Sequence, residues 1–223
     1  MLRLSCLSLL LTAVAFAETP KAAAPIPGPE KWEKSIAAFE AADRTMPPAV
    51  NGIEFVGSST MVKWKTLKED FAGLPVFNRG FGGCQSSDVL FYLDRVVLAY
   101  KPKTIVFYAG DNDLGLGKKA EDVIETWKRI MARLTAELPE TKIIYLSLRP
   151  SIKRLALFDE QKKANAGIKA SIEGKDNVQF IDLTSALVDK EGKPNGALLV
   201  ADKLHLNADG YKVLTGIVKP LLR

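Results

Sequence analysis

Histidine is the scarcest reactive residue in this chain, because only one, His205, occurs among 223 residues. A single imidazole excludes a metal site that needs two histidines, a histidine cluster and a histidine-rich pH switch. Any histidine chemistry must therefore take place at this one position. Cysteine is almost as rare, since the chain contains only Cys6 and Cys84.

Long apolar runs are also missing, apart from one at the start of the chain. Residues 1–17 read MLRLSCLSLLLTAVAFA, with one arginine, an apolar stretch and small residues at the end. This pattern is typical of a cleaved secretory signal peptide, and the run is shorter than the roughly 20 apolar residues that span a bilayer. We therefore expect export to the periplasm or the extracellular space, without stable membrane insertion after cleavage. Cleavage would remove Cys6 and leave Cys84 without a disulfide partner.

A strong excess of charge of one sign is absent as well. The chain carries 31 basic and 26 acidic side chains, a net charge of +5, and the basic residues are dispersed. This balance argues against a nucleic-acid partner. With 47% hydrophobic and 26% charged residues, the composition is that of a globular protein. Residues 18–29 are rich in alanine and proline, which predicts a linker, and residues 30–223 are long enough for one domain.

Within that domain, apolar runs alternate with segments of helical periodicity. The runs are nearly continuous in hydrophobicity, which is typical of strands covered on both faces. Strands are predicted at residues 53–56, 75–78, 104–109, 142–148 and 178–183, and helices at residues 30–44, 86–100, 120–138, 159–172 and 207–222. Repeated β-α units predict an α/β fold, in which a parallel sheet lies between two layers of helices.

Small polar residues follow the predicted strands, where open parallel sheets bind their ligands. Ser59 follows the first strand, Gly83 the second and Asn112 the third, while Asp202 and His205 precede the last helix. Because the carboxyl ends of parallel strands share one edge of the sheet, we expect these residues to lie close together.

These residue types match the needs of acyl transfer by a serine. A serine hydroxyl becomes a good nucleophile when a base takes its proton and a carboxylate orients that base. Asp202 lies three residues before His205, a spacing that one turn closes, and Ser59 is the best placed serine. The oxyanion of the intermediate needs donors, which the backbone N–H groups of Ser59 and Gly83 and the side-chain amide of Asn112 could provide.

Four sequence blocks carry a family resemblance. They are GSS at residues 57–59, NRGFGG at residues 78–83, GDND at residues 110–113 and DKLHLN at residues 202–207. In this order they resemble the signature blocks of the SGNH hydrolases, also called GDSL-like lipases/acylhydrolases, and in particular a bacterial branch related to platelet-activating-factor acetylhydrolase catalytic subunits. The resemblance covers residues from about 53 to 222.

The resemblance implies a flavodoxin-like sheet of five parallel strands and an esterase without a cofactor or metal. The expected partner is a small-molecule or carbohydrate acyl ester with a short acyl group, such as acetyl. The first block departs from the family pattern because Ser58 replaces the aspartate before the nucleophile. Alignment places the nucleophile at Ser59, with Ser58 as the alternative.

Several alternatives remain open from the sequence. The same residues could serve a carbohydrate O-acyltransferase, or the fold could be a non-catalytic carbohydrate-binding module. Cys84 is either a rival nucleophile or a small buried residue. Arg79, Asp111 and Trp64 are further candidates for substrate binding, because each lies in or beside one of the four blocks. The oligomeric state stays open.

Overall fold

The computed structural model describes residues 28–222. The predicted signal peptide at residues 1–17 and most of the predicted linker at residues 18–29 lie outside the described residues. No helix within residues 28–222 is long and apolar enough to cross a membrane.

Five strands form the centre of the fold. They are β1 (Ile53–Gly57), β2 (Val76–Gly80), β3 (Thr104–Tyr108), β4 (Lys142–Leu146) and β5 (Val178–Ile181). All neighbouring pairs are parallel, and the order across the sheet is β2-β1-β3-β4-β5. This is the flavodoxin-like order. The predicted α/β fold with a five-stranded parallel sheet is therefore confirmed.

Helices surround the sheet on both faces. The α-helices are α1 (Glu33–Asp43), α2 (Ser59–Val62), α3 (Leu67–Asp70), α4 (Ser86–Phe91), α5 (Asp111–Gly115), α6 (Ala120–Glu137), α7 (Phe158–Ser171), α8 (Thr184–Leu187) and α9 (Ala208–Val218). Short 3-10 helices span Pro29–Trp32, Ile152–Leu157, Gly196–Leu198 and Lys219–Leu222, and a π-helix spans Asp94–Leu98.

Three predicted helices are divided in the structure. The segment predicted at residues 30–44 consists of the 3-10 helix Pro29–Trp32 followed by α1. The segment predicted at residues 86–100 consists of α4 followed by the π-helix Asp94–Leu98. The segment predicted at residues 207–222 is α-helical to Val218 and continues as a 3-10 helix. Pro220 explains the change after Val218, because proline has no N–H to donate and its ring clashes with the preceding turn of an α-helix.

The core has two parts, one on each face of the sheet. Alternate residues of each strand point to opposite faces, so Val56 belongs to one part and Phe55 to the other. Trp127 of α6 fills the first part and Tyr211 of α9 borders the second. Burial of one large apolar side chain contributes about 1.5–3 kcal/mol, so the two layers of helices hold the sheet and its loops firmly in place.

Candidate active site

Ser59 is positioned by the abrupt turn that follows β1. Gly57 ends the strand with a φ of 139°, and a Cβ at this position would lie 1.9 Å from the carbonyl oxygen of Tyr108. Only glycine fits there, since any side chain would overlap the neighbouring strand. Ser58 is extended and its carbonyl accepts the N–H of Met61, so that α2 begins at Ser59.

His205 is positioned by a turn just before α9. One carboxylate oxygen of Asp202, Oδ1, accepts the backbone N–H groups of Leu204 and His205, each at 2.9 Å. Lys203, which follows Asp202, has a φ of 58°, a left-handed conformation that closes the turn. The other oxygen, Oδ2, lies 2.6 Å from Nδ1 of His205. The hydrogen bond from the imidazole, followed by those from the two backbone N–H groups, holds the pKa of Asp202 well below its ordinary value.

The other ring nitrogen of His205 reaches Ser59. Its Nε2 lies 3.0 Å from the hydroxyl oxygen of Ser59, although 146 positions separate the two residues in the chain. A carboxylate can only accept, so Nδ1 of His205 carries the proton that binds Asp202. Nε2 of the neutral ring is then free to accept the hydroxyl proton of Ser59. Ser, His and Asp in this order of contacts can generate a serine nucleophile.

Three groups could hold an oxyanion at this edge of the sheet. The backbone N–H groups of Ser59 and Gly83 have no hydrogen-bond acceptor among the described residues. Gly83 has a φ of 84°, which suits glycine and directs the loop after β2. The side-chain Nδ2 of Asn112 donates one hydrogen to the carbonyl of Cys84 at 2.9 Å, which leaves its second hydrogen available. These donors follow β1, β2 and β3, which are neighbours in the sheet.

A buried carboxylate ties the loops after β2 and β3 together. Asp113 is fully buried, and its Oδ2 accepts both the backbone N–H and the hydroxyl of Ser86. Its Oδ1 accepts from Lys118 at 3.2 Å. Burial raises the pKa of Asp113, and the hydrogen bonds from Ser86 and Lys118 oppose that rise. The amino-terminal end of α5, which carries Asn112, is therefore anchored from within.

Arg154 contacts the candidate site but is not among the residues predicted from the sequence. This residue lies in the 3-10 helix Ile152–Leu157 after β4, and its Nη2 donates to the side-chain oxygen of Asn112 at 2.8 Å. Its Nη1 donates to the backbone oxygen and the carboxylate of Asp111. Its position after a strand end is the only signal in the sequence, and Lys153 beside it shares that signal.

Asp111, a candidate for substrate binding, pairs with Arg154 in the structure. Its side chain is nearly buried, and its two carboxylate oxygens accept from Arg154 and from Nε2 of Gln161. Both oxygens are thus occupied by protein groups. The carboxylate therefore supports Arg154.

Arg79 and Trp64, the other two candidates for substrate binding, also contact groups within the protein. Arg79 is 6% exposed, pairs with Asp43 at 2.6 Å and packs its guanidinium over the ring of Tyr100. Trp64 is 2% exposed, and its indole N–H donates to Asp70 at 2.7 Å. Both side chains therefore lie in the interior and support the fold, although Nε of Arg79 has no hydrogen-bond partner among the described residues.

The two rival nucleophiles differ from Ser59 in their surroundings. Cys84 is fully buried, and burial raises the pKa of its thiol well above the ordinary value, with Asp88 and Asp113 contributing. A thiol held in its neutral form is a poor nucleophile. His205 contacts the hydroxyl of Ser59, and its ring makes no hydrogen bond with Ser58 in the part of the chain that the structure describes.

Comparison with known proteins agrees with this fold and with the sequence blocks. A model of the GDSL-like Lipase/Acylhydrolase family matches residues 55–213. The platelet-activating factor acetylhydrolase IB subunit alpha2 of Homo sapiens is 31% identical over 210 residues, which cover 92% of this chain and 88% of the human protein.

Two solved structures share the fold. A GDSL-like lipase from Bacteroides thetaiotaomicron superposes with a TM-score of 0.71 and 19% identity, covering 84% of this chain and 96% of the other. A catalytic mutant of Axe2, an acetylxylan esterase from Geobacillus stearothermophilus, gives a TM-score of 0.63 and 15% identity, covering 77% of this chain and 94% of the other. The family match spans most of the domain, and the chain therefore belongs to the GDSL-like lipase/acylhydrolase family, within the SGNH hydrolase superfamily, and is a carboxylic ester hydrolase.

Proposed function

We propose that this protein is an exported serine esterase that removes short acyl groups, such as acetyl, from hydroxyl groups of a carbohydrate or a small lipid. One observation carries the catalytic part of the proposal. The imidazole of His205 contacts the carboxylate of Asp202 at 2.6 Å and the hydroxyl of Ser59 at 3.0 Å at the same time. The proton of Ser59 can therefore pass to a base that is already oriented.

In the first half of the reaction, the hydroxyl oxygen of Ser59 attacks the ester carbonyl while His205 takes its proton. The negative charge that forms on the carbonyl oxygen is stabilised by the N–H groups of Ser59 and Gly83 and by the amide of Asn112. Asp202 stabilises the imidazolium that exists at this stage. The intermediate then collapses, His205 returns the proton to the alcohol oxygen, and the alcohol leaves an acyl group on Ser59.

In the second half, water replaces the alcohol. His205 removes a proton from the water as its oxygen attacks the acyl carbonyl, and the same three donors hold the oxyanion. Collapse of this intermediate breaks the bond to Ser59, which recovers its proton from His205. A carboxylic acid is released and the enzyme returns to its starting state.

The substrate class rests on similar proteins. The human relative is named as an acetylhydrolase subunit, and one neighbour in structure is named as an acetylxylan esterase. Both names point to acetyl groups, one on platelet-activating factor and one on xylan. Export rests on the sequence of residues 1–17, with its arginine, apolar stretch and terminal small residues.

Hydrolysis of p-nitrophenyl acetate and p-nitrophenyl butyrate tests the catalytic proposal. We expect turnover of the acetate ester by the wild type and a loss of at least about 1,000-fold in Ser59→Ala. Ser58→Ala is the matched control, because it deletes the neighbouring hydroxyl and should retain most activity. A fluorophosphonate probe should label the wild type at Ser59. An active Ser59→Ala variant, or labelling at Ser58, would reverse the assignment of the nucleophile.

The same assay distinguishes a hydrolase from an acyltransferase. An added polysaccharide acceptor should leave the rate of p-nitrophenol release unchanged for a hydrolase. A rate that rises with the acceptor, together with acylated polysaccharide as product, would favour the transferase.

Export requires a separate measurement. Mass spectrometry of the mature protein from a secreting host should find the chain cleaved after the signal-like segment. An intact amino terminus on cytoplasmic protein would contradict export.

A further inference from the structure

We propose that Arg154 is a positioning residue that holds the side chain of Asn112 with its amide nitrogen, rather than its oxygen, available to the oxyanion. This inference rests on the proposed function, because it concerns the same site. It assigns a role to a residue outside the four sequence blocks that carry the family resemblance.

The amide group of an asparagine side chain is nearly symmetric in shape. Its oxygen and nitrogen have almost the same shape, so a half turn about the last bond exchanges an acceptor for a donor. With the nitrogen toward the site, Asn112 stabilises an oxyanion. With the oxygen there, it would repel the same charge. The orientation of this amide therefore decides whether the third donor of the oxyanion hole exists.

Two contacts select the productive orientation. The carbonyl of Cys84 can only accept, and it lies 2.9 Å from Nδ2 of Asn112. The guanidinium of Arg154 can only donate, and its Nη2 lies 2.8 Å from Oδ1 of Asn112. After a half turn, an amide oxygen would face the carbonyl oxygen and an NH₂ group would face a cation. Both contacts would become repulsive together.

Arg154 is itself held in place for this contact. Its Nη1 donates to the backbone oxygen of Asp111 at 3.0 Å and to the carboxylate of the same residue. The other carboxylate oxygen accepts from Gln161 at 2.7 Å. A Cβ on Gly115 would approach the guanidinium to 2.9 Å, so glycine leaves the space that Arg154 occupies. The planar guanidinium can thus bind Asp111 and Asn112 at once, which the single ammonium of a lysine cannot do in the same geometry.

The segment that carries Arg154 also meets the loop of His205. The backbone N–H of Lys153 donates to the carbonyl of Lys203 at 3.0 Å. Lys203 lies in the turn between Asp202 and His205. The 3-10 helix after β4 therefore contacts both the loop of the proposed base and the side chain of the proposed oxyanion donor.

The first test is the kinetics of Arg154→Ala with p-nitrophenyl acetate. We expect kcat to fall about 10- to 100-fold. Loss of the positioning residue should cost no more than loss of an oxyanion donor itself, which typically lowers kcat about 100- to 1,000-fold. KM should stay within about threefold, because the oxyanion forms only after substrate has bound. Lys153→Ala is the matched control, since its side chain is exposed and only its backbone makes the contact described above.

The decisive test is a double-mutant cycle with Asn112→Ala. If Arg154 acts through Asn112, adding Arg154→Ala to Asn112→Ala should reduce kcat by less than about threefold. Guanidinium chloride at low millimolar concentration should restore part of kcat in Arg154→Ala and none in the double variant. The kcat of Arg154→Lys should lie between those of the wild type and Arg154→Ala. If Arg154→Ala does not fold, Arg154→Lys replaces it in the double-mutant cycle.

The possible failures are distinguishable. Three results would overturn the positioning role while Ser59→Ala remains inactive. The losses of kcat in the two single variants could multiply in the double variant, kcat of Arg154→Ala could equal that of the wild type, or only KM could change. An active Ser59→Ala variant would instead overturn the proposed function. Far-ultraviolet circular dichroism and thermal unfolding of each variant separate a folding defect from a kinetic one.

Discussion

Asparagine in place of Asp202 would preserve the turn before α9 and reverse the hydrogen bond to His205. The amide oxygen of the new side chain can still accept the backbone N–H groups of Leu204 and His205, which now bind Oδ1 at 2.9 Å. The amide nitrogen then faces Nδ1 of His205, where the carboxylate oxygen lies at 2.6 Å. Because that nitrogen donates, the imidazole must accept at Nδ1 and carry its proton on Nε2. A protonated Nε2 cannot take the proton of Ser59.

The size of the effect follows from the lost charge and the wrong tautomer. Two unit charges at about 4 Å interact by about 1 kcal/mol in water and about 4 kcal/mol at the effective dielectric constant of a protein surface. The side chain of Asp202 is 39% exposed, so the stabilisation of the imidazolium lies between these limits. This range alone corresponds to a rate loss of about 5- to 1,000-fold. The wrong tautomer adds to this loss of kcat. The same change in another Ser-His-Asp triad can lower kcat about 10,000-fold.

We therefore expect Asp202→Asn to lower kcat for p-nitrophenyl acetate by about 100- to 10,000-fold, with KM nearly unchanged. Asp209→Asn is the matched control, because this exposed carboxylate in the first turn of α9 pairs with Lys212 and not with His205. The control should behave as the wild type. An Asp202→Asn variant within about threefold of wild-type kcat would refute the role of Asp202, provided that His205→Ala is inactive in the same assay.

Three further predictions concern the stability of the fold. Both carboxylate oxygens of Glu54 are buried without a partner among the described residues, and burial raises the pKa of this group well above its ordinary value, against the opposing charge of Arg79. The folded chain then holds the carboxyl proton of Glu54 more tightly than the unfolded chain does. The free energy of unfolding should therefore fall as pH rises above about 4.3, the ordinary pKa of glutamate. Thermal unfolding between pH 5 and pH 8 should show a weaker pH dependence in Glu54→Gln, and equal slopes would contradict the argument. Asn207 is the N-cap of α9, and its Oδ1 accepts the N–H of Gly210 at 3.0 Å. Asn207→Ala should therefore lower the free energy of unfolding in urea by about 1 kcal/mol. An unchanged urea midpoint would argue against this role of the cap. Gly57→Ala should prevent folding or lower stability by more than about 3 kcal/mol, because its Cβ would overlap backbone, whereas Gly73→Ala, with a φ of 85° and no atom within 4 Å, should cost about 1–2 kcal/mol. Similar losses in the two glycine variants would show that the close approach at Gly57 is unimportant.

The sequence was sufficient for the sheet because the relevant signals are local. Each strand is a short apolar run, and a run such as residues 104–109 reads as buried on both faces without reference to the rest of the chain. The turn of Asp202 and His205 is equally local, since three positions separate them. The ends of elements were less predictable. Pro220 changes the type of helix rather than ending it, because the last turns can continue with 3-10 hydrogen bonds.

The roles of the charged and aromatic side chains were decided by tertiary contacts. Arg79 lies within the second sequence block and Trp64 lies five residues after the first. Arg79 nevertheless binds Asp43, which is 36 positions away, and Trp64 packs in the core. Neither the pairing of Arg79 with Asp43 nor the packing of Trp64 in the core can be read from the local sequence pattern.

By itself, the sequence determined the strands, the order of the blocks and the residues that could form a serine-based site, because these depend on hydrophobic spacing and residue type over short stretches. Only the tertiary structure decided which of those residues meet. The contact of His205 with Ser59 spans 146 positions, and that of Arg154 with Asn112 spans 42. Such pairs form where parallel strands end side by side, and long side chains there bind whichever group the packing of the sheet brings within reach.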